Sequence, residues 1–169
     1  MNKEEVVLVD KNDNPLGTME KMQAHEKGVL HRAFSAFIYN SNKEMMLHRR
    51  AFSKYHSQGL WTNACCSHPR INETTEETAH RRLKEEMGFD CKLTEEFSFL
   101  YKADVGDGLL EHEFDHVFFG EFDGKPEINP DEVAEWKFVN PEILKEEIKT
   151  HPEKYTEWFK IAFEKISKM

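Results

Sequence analysis

Glu73-Thr74-Thr75-Glu76-Glu77-Thr78-Ala79-His80-Arg81-Arg82-Leu83-Lys84-Glu85-Glu86-Met87-Gly88-Phe89 is the stretch from which the rest of the chain is read. Thr74 followed three residues later by Glu77 is the signature of a capping box, in which hydroxyl and carboxylate satisfy each other's backbone amides. Ala79, Leu83 and Met87 recur at helical spacing, and Gly88 stands where a helix closes through a left-handed residue. The spacing therefore predicts a helix from Thr74 to Gly88. Arg81–Glu85 and Arg82–Glu86 would be paired across one turn, on what reads by itself as a solvated face.

Working outward, the run before this helix is Trp61-Thr62-Asn63-Ala64-Cys65-Cys66-Ser67-His68-Pro69. Adjacent residues on a strand point to opposite faces, so Cys65 and Cys66 would not share a role. Earlier in the chain, Val6–Val9 reads as a short strand ended by the turn-rich Asp10–Pro15. Residues 19–27 read as a short helix closed by Gly28. Residues 33–39 and 45–49 flank Asn40–Glu44 in the manner of a hairpin. Later, residues 97–102, 114–122 and 134–139 read as strands. Two helices follow, at 141–149 and at 152–168 behind Thr150. The last carries Tyr155, Trp158, Phe159, Ala162, Phe163 and Ile166 as a stripe, for which core packing is the default. Strands with interspersed and terminal helices predict an α/β layered sandwich, a mixed β-sheet flanked by helices. With 169 residues, no repeat and no Gly/Ser/Pro-rich linker, residues 1–169 read as one domain.

Composition narrows the function. A net charge of −9 argues against a surface built for nucleic-acid phosphates, so an anionic ligand would need a local cluster of cations or a bridging metal. No apolar run reaches membrane-spanning length, and the polar Met1-Asn2-Lys3-Glu4-Glu5 lacks the layout of a signal peptide; a cytosolic protein is expected. Three cysteines suit no disulfide framework, and Cys91 reads as a small buried residue without a role. The nine histidines invite a search for ligands. His25, His31 and His68, with Glu111 and Glu113 on one face of a strand, make a possible set of three imidazoles and two carboxylates for an octahedral divalent ion. Sequence spacing leaves their convergence open.

Ser67, five residues, Glu73, seven residues and Arg81-Arg82-Leu83-x-Glu85-Glu86-x-Gly88-Phe89 resemble the Nudix box, in which a loop and helix present carboxylates to divalent metals on a diphosphate. Glu85 and Glu86 are hard oxygen donors suited to Mg²⁺. Two departures stand out. Ser67 replaces the opening glycine, and Arg82 stands where a Nudix hydrolase has a glutamate. A guanidinium binds no cation but pairs well with phosphate oxygens. The pattern predicts a Nudix-like scaffold kept for diphosphate binding without hydrolysis.

The order of Glu20-Lys21-x-x-x-His25, His31-Arg32-Ala33-Phe34-Ser35, Arg49-Arg50-Ala51-Phe52-Ser53-Lys54, the Cys65-Cys66-Ser67-His68-Pro69 stretch and Glu111-His112-Glu113 resembles the type 1 isopentenyl-diphosphate delta-isomerases over nearly the whole chain. That resemblance implies a metal-dependent, flavin-independent isomerase of isoprenoid biosynthesis. It implies Cys66 as the catalytic thiol, Glu113 as the opposing acid/base and Tyr101 as the phenol assisting it. It implies His25, His31, His68, Glu111 and Glu113 as ligands of a tightly held Mn²⁺, Zn²⁺ or Mg²⁺. Glu86 would hold a second Mg²⁺ that arrives with the diphosphate. Lys21, Arg50, Lys54 and Arg82 would bind the diphosphate, and Trp158 would face the hydrocarbon tail. The expected partner is a small diphosphate, with neither nucleic acid nor membrane; a monomer fits, and the oligomeric state stays open. A Nudix diphosphohydrolase of nucleotide derivatives and a catalytically inert diphosphate binder are the alternatives.

Overall fold

The computed structural model describes residues 4–169, so the polar opening Met1-Asn2-Lys3 lies outside the described residues. β1 (Glu5–Val9) turns through Asp10–Asn14 into β2 (Pro15–Glu20), and α1 (Lys21–Lys27) follows at once. The Asp10 carboxylate accepts from the Asn12 and Asn14 amides, which fixes the turn. β2 was not legible: it opens on proline, contains Gly17 and lies exposed at a sheet edge, where no buried face imposes alternation. The short helix accordingly begins at Lys21 rather than Met19, because Met19 and Glu20 pair with Val6 and Glu5.

β3 (His31–Tyr39) is the axis of the molecule. Along one flank it pairs in parallel with β8 (Leu109–Glu121) over its whole length. Along the other it meets in turn β1, β6 (Cys65–Ser67) and β4 (Met45–Arg50). The expected hairpin with β4 is therefore real only at Tyr39↔Met45. Beyond that bridge the strands part, β3 taking β6 while β4 takes β5 (Trp61–Asn63) and β9 (Val133–Val139). β7 (Leu93–Gly106) and β8 form an antiparallel ribbon longer than the sequence suggested. Its inward positions at the site end include Glu111, Glu113 and Asp115, so alternation of hydrophobicity fails there while alternation of burial continues.

Two cores follow from the period of two on β3. Phe34, Ala36 and Ile38 face one side, where Ala79, Leu83 and Met87 of α2 (Thr75–Met87) cover them. Phe37 faces the other side with Met45, Leu47 and Val117, and is covered by Trp158, Phe159, Ala162 and Phe163 of α4 (Glu157–Ser167). α3 (Pro141–Thr150) adds Leu144 to this second core. The helix expected over 152–168 is interrupted. After a single 3₁₀ turn at Pro152–Lys154, Tyr155 bridges Trp61 and the Thr156 amide donates to the Trp61 carbonyl, so Thr156, not Thr150, caps the final helix. Cys91 is half-buried against the first core rather than enclosed by it.

α2 has both expected ends. Thr74 Oγ1 accepts from the Glu77 amide at 3.1 Å while Glu77 Oε2 accepts from the Thr74 amide at 3.0 Å. At the other end Gly88 has φ 70°, and the passing chain donates Glu127 and Asn129 amides to the carbonyls of Met87 and Glu86. A β-carbon on Gly88 would lie 2.4 Å from the Glu127 carbonyl oxygen. Gly88→Ala is expected to cost more than about 1 kcal/mol, read as a lower urea midpoint with an unchanged slope.

Candidate active site

Strand register builds the site. Tyr101↔Glu113 and His31↔Glu113 are directly opposed neighbours across β7, β8 and β3, and Ser35↔Cys66 are opposed across β3 and β6. Opposed residues share a face, so Cys66, Tyr101 and Glu113 all stand on the α4 side of the sheet. Cys65, opposite Ala36, stands on the α2 side in the first core, where its Sγ lies 3.1 Å from Glu86 Oε2. The two adjacent cysteines do separate as expected. Cys66, half-buried, lines a cavity together with His68, Glu111, Glu113, Arg50 and Trp158.

Beside this cavity, and reaching it through His68, Glu111 and Glu113, the imidazoles of His25, His31 and His68 converge with the carboxylates of Glu111 and Glu113; one donor atom from each lies within 4.8 Å of all the others. All five residues are buried. His25 Nδ1–H donates to the Lys21 carbonyl at 2.7 Å and His31 Nδ1–H to the Val29 carbonyl at 2.8 Å. A carbonyl only accepts, so the tautomer is fixed and each Nε2 is turned inward. His25 Nε2 lies 2.9 Å from Glu111 Oε1, and Glu113 Oε2 lies 3.2 Å from His31 Nε2 and 2.6 Å from His68 Nε2. Glu111 Oε2 is buried and without a hydrogen-bond partner. Inward lone pairs facing carboxylates repel unless a proton or a cation lies between them, so this donor set fits a divalent metal.

Electrostatics agree. Burial opposes ionisation of Glu113, but hydrogen bonding to His31 and His68 outweighs it and holds the carboxyl well below its usual range. Burial works against charge on His25 and His31 too, yet Glu111 and Glu113 respectively raise both. For His68 burial prevails and the value is lowered. Tyr101 donates its hydroxyl to Glu113 Oε1, leaving Oε2 for the imidazoles. Burial pushes the Tyr101 phenol and the Cys66 thiol upward, so both rest protonated at neutral pH.

The cavity is also lined by Lys21, Arg50, Lys54 and Arg82. Lys21 pairs with Glu4 at 2.8 Å, Lys54 with Glu132 at 2.6 Å, and Arg82 with Glu86 at 2.5 Å. Arg50 pairs with no carboxylate among the described residues; it donates to the His56 carbonyl and lies over the Trp158 ring at 5.2 Å. Four cations thus face five lining carboxylates, Glu4, Glu86, Glu111, Glu113 and Glu132. Without metal the lining is net negative, so a diphosphate seated here requires divalent cations to offset that charge. The helix reading is also refined. The Arg81–Glu85 pair is at the surface, but Arg82 and the buried Glu86 face the cavity rather than solvent. Glu73 is taken up by the Arg81 fork at 2.7 and 2.9 Å, which draws its carboxyl down to about 2, and it anchors the loop to the helix.

The NUDIX domain family matches residues 29–159. Isopentenyl-diphosphate Delta-isomerase 2 of Aromatoleum aromaticum is 51% identical over 163 residues, covering 96% of this chain and 86% of the relative. Its namesake from Photorhabdus laumondii is 54% identical over 155 residues, covering 92% of this chain and 88% of the relative. The chain belongs to the isopentenyl-diphosphate Delta-isomerase family. A structural neighbour, DR0079 from Deinococcus radiodurans, superimposes with a TM-score of 0.81 at 21% identity, covering 96% of this chain and 98% of that one. At that identity the likeness establishes the Nudix fold alone.

Every residue singled out for the isomerase site is at this cavity or bonded to a residue that is. Lys21, Arg50, Lys54, Cys66, His68, Arg82, Glu86, Glu111, Glu113 and Trp158 line it, while His25, His31 and Tyr101 reach it through Glu111 and Glu113. Trp158 is packed in the second core and also lines the cavity. Sequence reasoning missed Tyr55, His56 and Glu132. Tyr55 lies under two ammonium groups, Lys21 Nζ at 4.6 Å and Lys54 Nζ at 5.6 Å from its ring centroid. The available signal was an aromatic pair, Tyr55-His56, directly after Lys54 and within six residues of Arg50. Glu132 gave none, since an Asp-Glu pair after the Asn129-Pro130 turn is ordinary.

Proposed function

We propose that this chain interconverts isopentenyl diphosphate and dimethylallyl diphosphate, with Cys66 and the Glu113–Tyr101 pair moving the two protons. The observation that carries the assignment of roles is the shared sheet face. A protonated thiol and an ionised carboxylate, backed by a phenol, border the same cavity as a metal-fitting cluster and a set of cations.

The two isomers differ in the position of one double bond. In the forward direction the Cys66 thiol gives its proton to the terminal carbon of the alkene, leaving a thiolate and a tertiary carbocation. Glu113 Oε1 then takes a proton from the carbon two places away, and the new double bond forms. Tyr101 steadies the Glu113 anion and orients Oε1. Return of the proton from Glu113 to the thiolate, directly or through solvent, resets the site. A desolvated indole face near the cation is worth about 2 kcal/mol or more, and Trp158, which lines the cavity, would supply it. Lys21 of α1 and Trp158 of α4 line the cavity, and excluding water there would keep the cation from being trapped as an alcohol.

His25, His31, His68, Glu111 and Glu113 would hold one divalent ion, for which Mn²⁺, Zn²⁺ and Mg²⁺ all match the nitrogen and oxygen donors. Glu86 would hold Mg²⁺ bound to the diphosphate, with Lys21, Arg50, Lys54 and Arg82 taking the remaining phosphate oxygens. When bound, these ions supply charge compensation for the diphosphate and fix the carboxylates. We further infer a single domain acting in the cytosol on a free small-molecule diphosphate. Proton NMR of isopentenyl diphosphate in D₂O with protein and Mg²⁺ tests the reading. Dimethylallyl diphosphate deuterated at a methyl group is expected; phosphate release, or unchanged substrate with confirmed metal occupancy, would overturn it.

The pH profile has a defined shape. Cys66 must be protonated to donate, and its raised value keeps it so, so turnover is expected to hold on the alkaline side through pH 9. His25 and His31 must be unprotonated to bind metal, and Glu111 and Glu113 raise their values, so turnover falls as pH drops, beginning above the ordinary imidazole range. Added metal should shift this acid limb to lower pH and leave the alkaline side unmoved; initial rates at two metal concentrations check both.

A further inference from the structure

Building on the metal reading above, we infer that His56 is a positioning residue for the metal cluster, the group that holds Glu111 in place once His25 is engaged by the ion. His56 is 1% exposed, and its Nε2 lies 2.8 Å from Glu111 Oε1. The same oxygen lies 2.9 Å from His25 Nε2. These two imidazoles are not equivalent. His25 has its Nδ1–H committed to the Lys21 carbonyl, so its Nε2 has only a lone pair to offer and holds Glu111 only when protonated. With metal on that lone pair, His25 has nothing left to donate. His56 Nδ1 lies 3.0 Å from Ser57 Oγ, a hydroxyl that either gives or accepts, so a neutral His56 is free to carry its proton on Nε2.

His56 stands outside the five-residue group whose donor atoms lie within 4.8 Å of one another. It is therefore a donor to a ligand rather than a ligand. Its Nε2 is buried without a hydrogen bond, as is Glu111 Oε2. Two unpartnered polar atoms on facing buried side chains are costly unless a small turn of the carboxylate satisfies both, one from His56 and one from the metal. The rest of His56 is fixed on all sides. Its ring meets Trp158 edge-on at 5.6 Å and Tyr55 at 4.4 Å, and its carbonyl accepts from Arg50. One residue thus joins the metal ligand Glu111, the cation Arg50 and the indole Trp158.

Zn²⁺ affinity of metal-stripped protein, measured by competition with a chromophoric chelator and without substrate, tests this. His56→Phe keeps the ring packing against Trp158 and removes the donor; His56→Gln restores an N–H at about the same reach. His56→Phe is expected to weaken Zn²⁺ binding about 10- to 100-fold, with His56→Gln returning most of it and near-ultraviolet circular dichroism of both unchanged. Equal affinity in wild type and His56→Phe would overturn the inference, as would a weakening that His56→Gln fails to rescue. A wild-type chain without tight Zn²⁺, Mn²⁺ or Mg²⁺ binding would instead sink the metal reading on which the inference rests.

Discussion

Cys66→Ala is expected to lower turnover of isopentenyl diphosphate by about a thousandfold or more, within the range of roughly 10² to 10⁴ for a positioned acid–base group together with the loss of any nearby substitute. Among the described residues lining the cavity, no other thiol is present, and Cys65 faces the opposite core. Tyr101 is protonated as well, but its hydroxyl is committed to Glu113. The variant should keep its metal affinity, because Cys66 is not among the converging donors. It should also keep its stability within about 1 kcal/mol, since a half-buried wall residue leaves a void that solvent already reaches. Cys65→Ala provides the contrast: it removes the contact with Glu86 and should act on substrate KM more than on turnover. Deuterium incorporation by NMR, with Zn²⁺ competition on the same samples, reads both quantities. Turnover retained in Cys66→Ala would move the proton donor elsewhere.

Glu113→Gln is expected to fail twice, losing at least tenfold in metal affinity and about a thousandfold or more in turnover at saturating metal. The two carboxylate oxygens have separate duties: Oε2 faces His31 and His68, and Oε1 accepts from Tyr101. An amide fills the same volume but offers one oxygen instead of two and cannot accept the substrate proton. Tyr101→Phe separates the duties. It leaves Oε2 untouched, so metal binding stays, while a hydrogen bond to a charged group worth about 1.5–3 kcal/mol is lost from Oε1. Turnover should fall roughly ten- to a hundredfold. Normal Zn²⁺ affinity in Glu113→Gln would remove Glu113 from the ligand set; equal turnover in Tyr101→Phe would make the phenol a packing residue.

The second layer of polar groups was beyond sequence reading for a physical reason. His56 is separated by 55 residues from Glu111, the carboxylate that gives it meaning, and its place after Lys54 and Tyr55 does not point to that partner. Strand boundaries failed in the same place. Burial alternates along β8 from Leu109 to Val117, but its buried positions at the site end are Glu111, Glu113 and Asp115, so hydrophobicity no longer reports the inward face. Asp115, with its value raised by burial, is held by the Ser35 hydroxyl at 2.7 Å on that face. Functional polarity inside a sheet erases the signal by which a sheet is recognised.

What the sequence determined by itself is local or carried by ordered motifs. The capped helix from Thr74 to Gly88, the opposed faces of Cys65 and Cys66 and the apolar stripe ending in Ile166 follow from backbone period, capping and glycine geometry, which act within a few residues. The donor set His25, His31, His68, Glu111 and Glu113 was named through the order of its motifs. Its convergence was decided only by tertiary structure, through the parallel register that sets His31 beside Glu113 and the antiparallel one that sets Tyr101 there. The parting of β3 from β4 and the break at Tyr155 were decided in the same way, by competition among distant backbone groups for the same hydrogen bonds. Side-chain period is a property of a strand alone; which strand becomes its neighbour is settled by the summed burial and pairing of the whole chain.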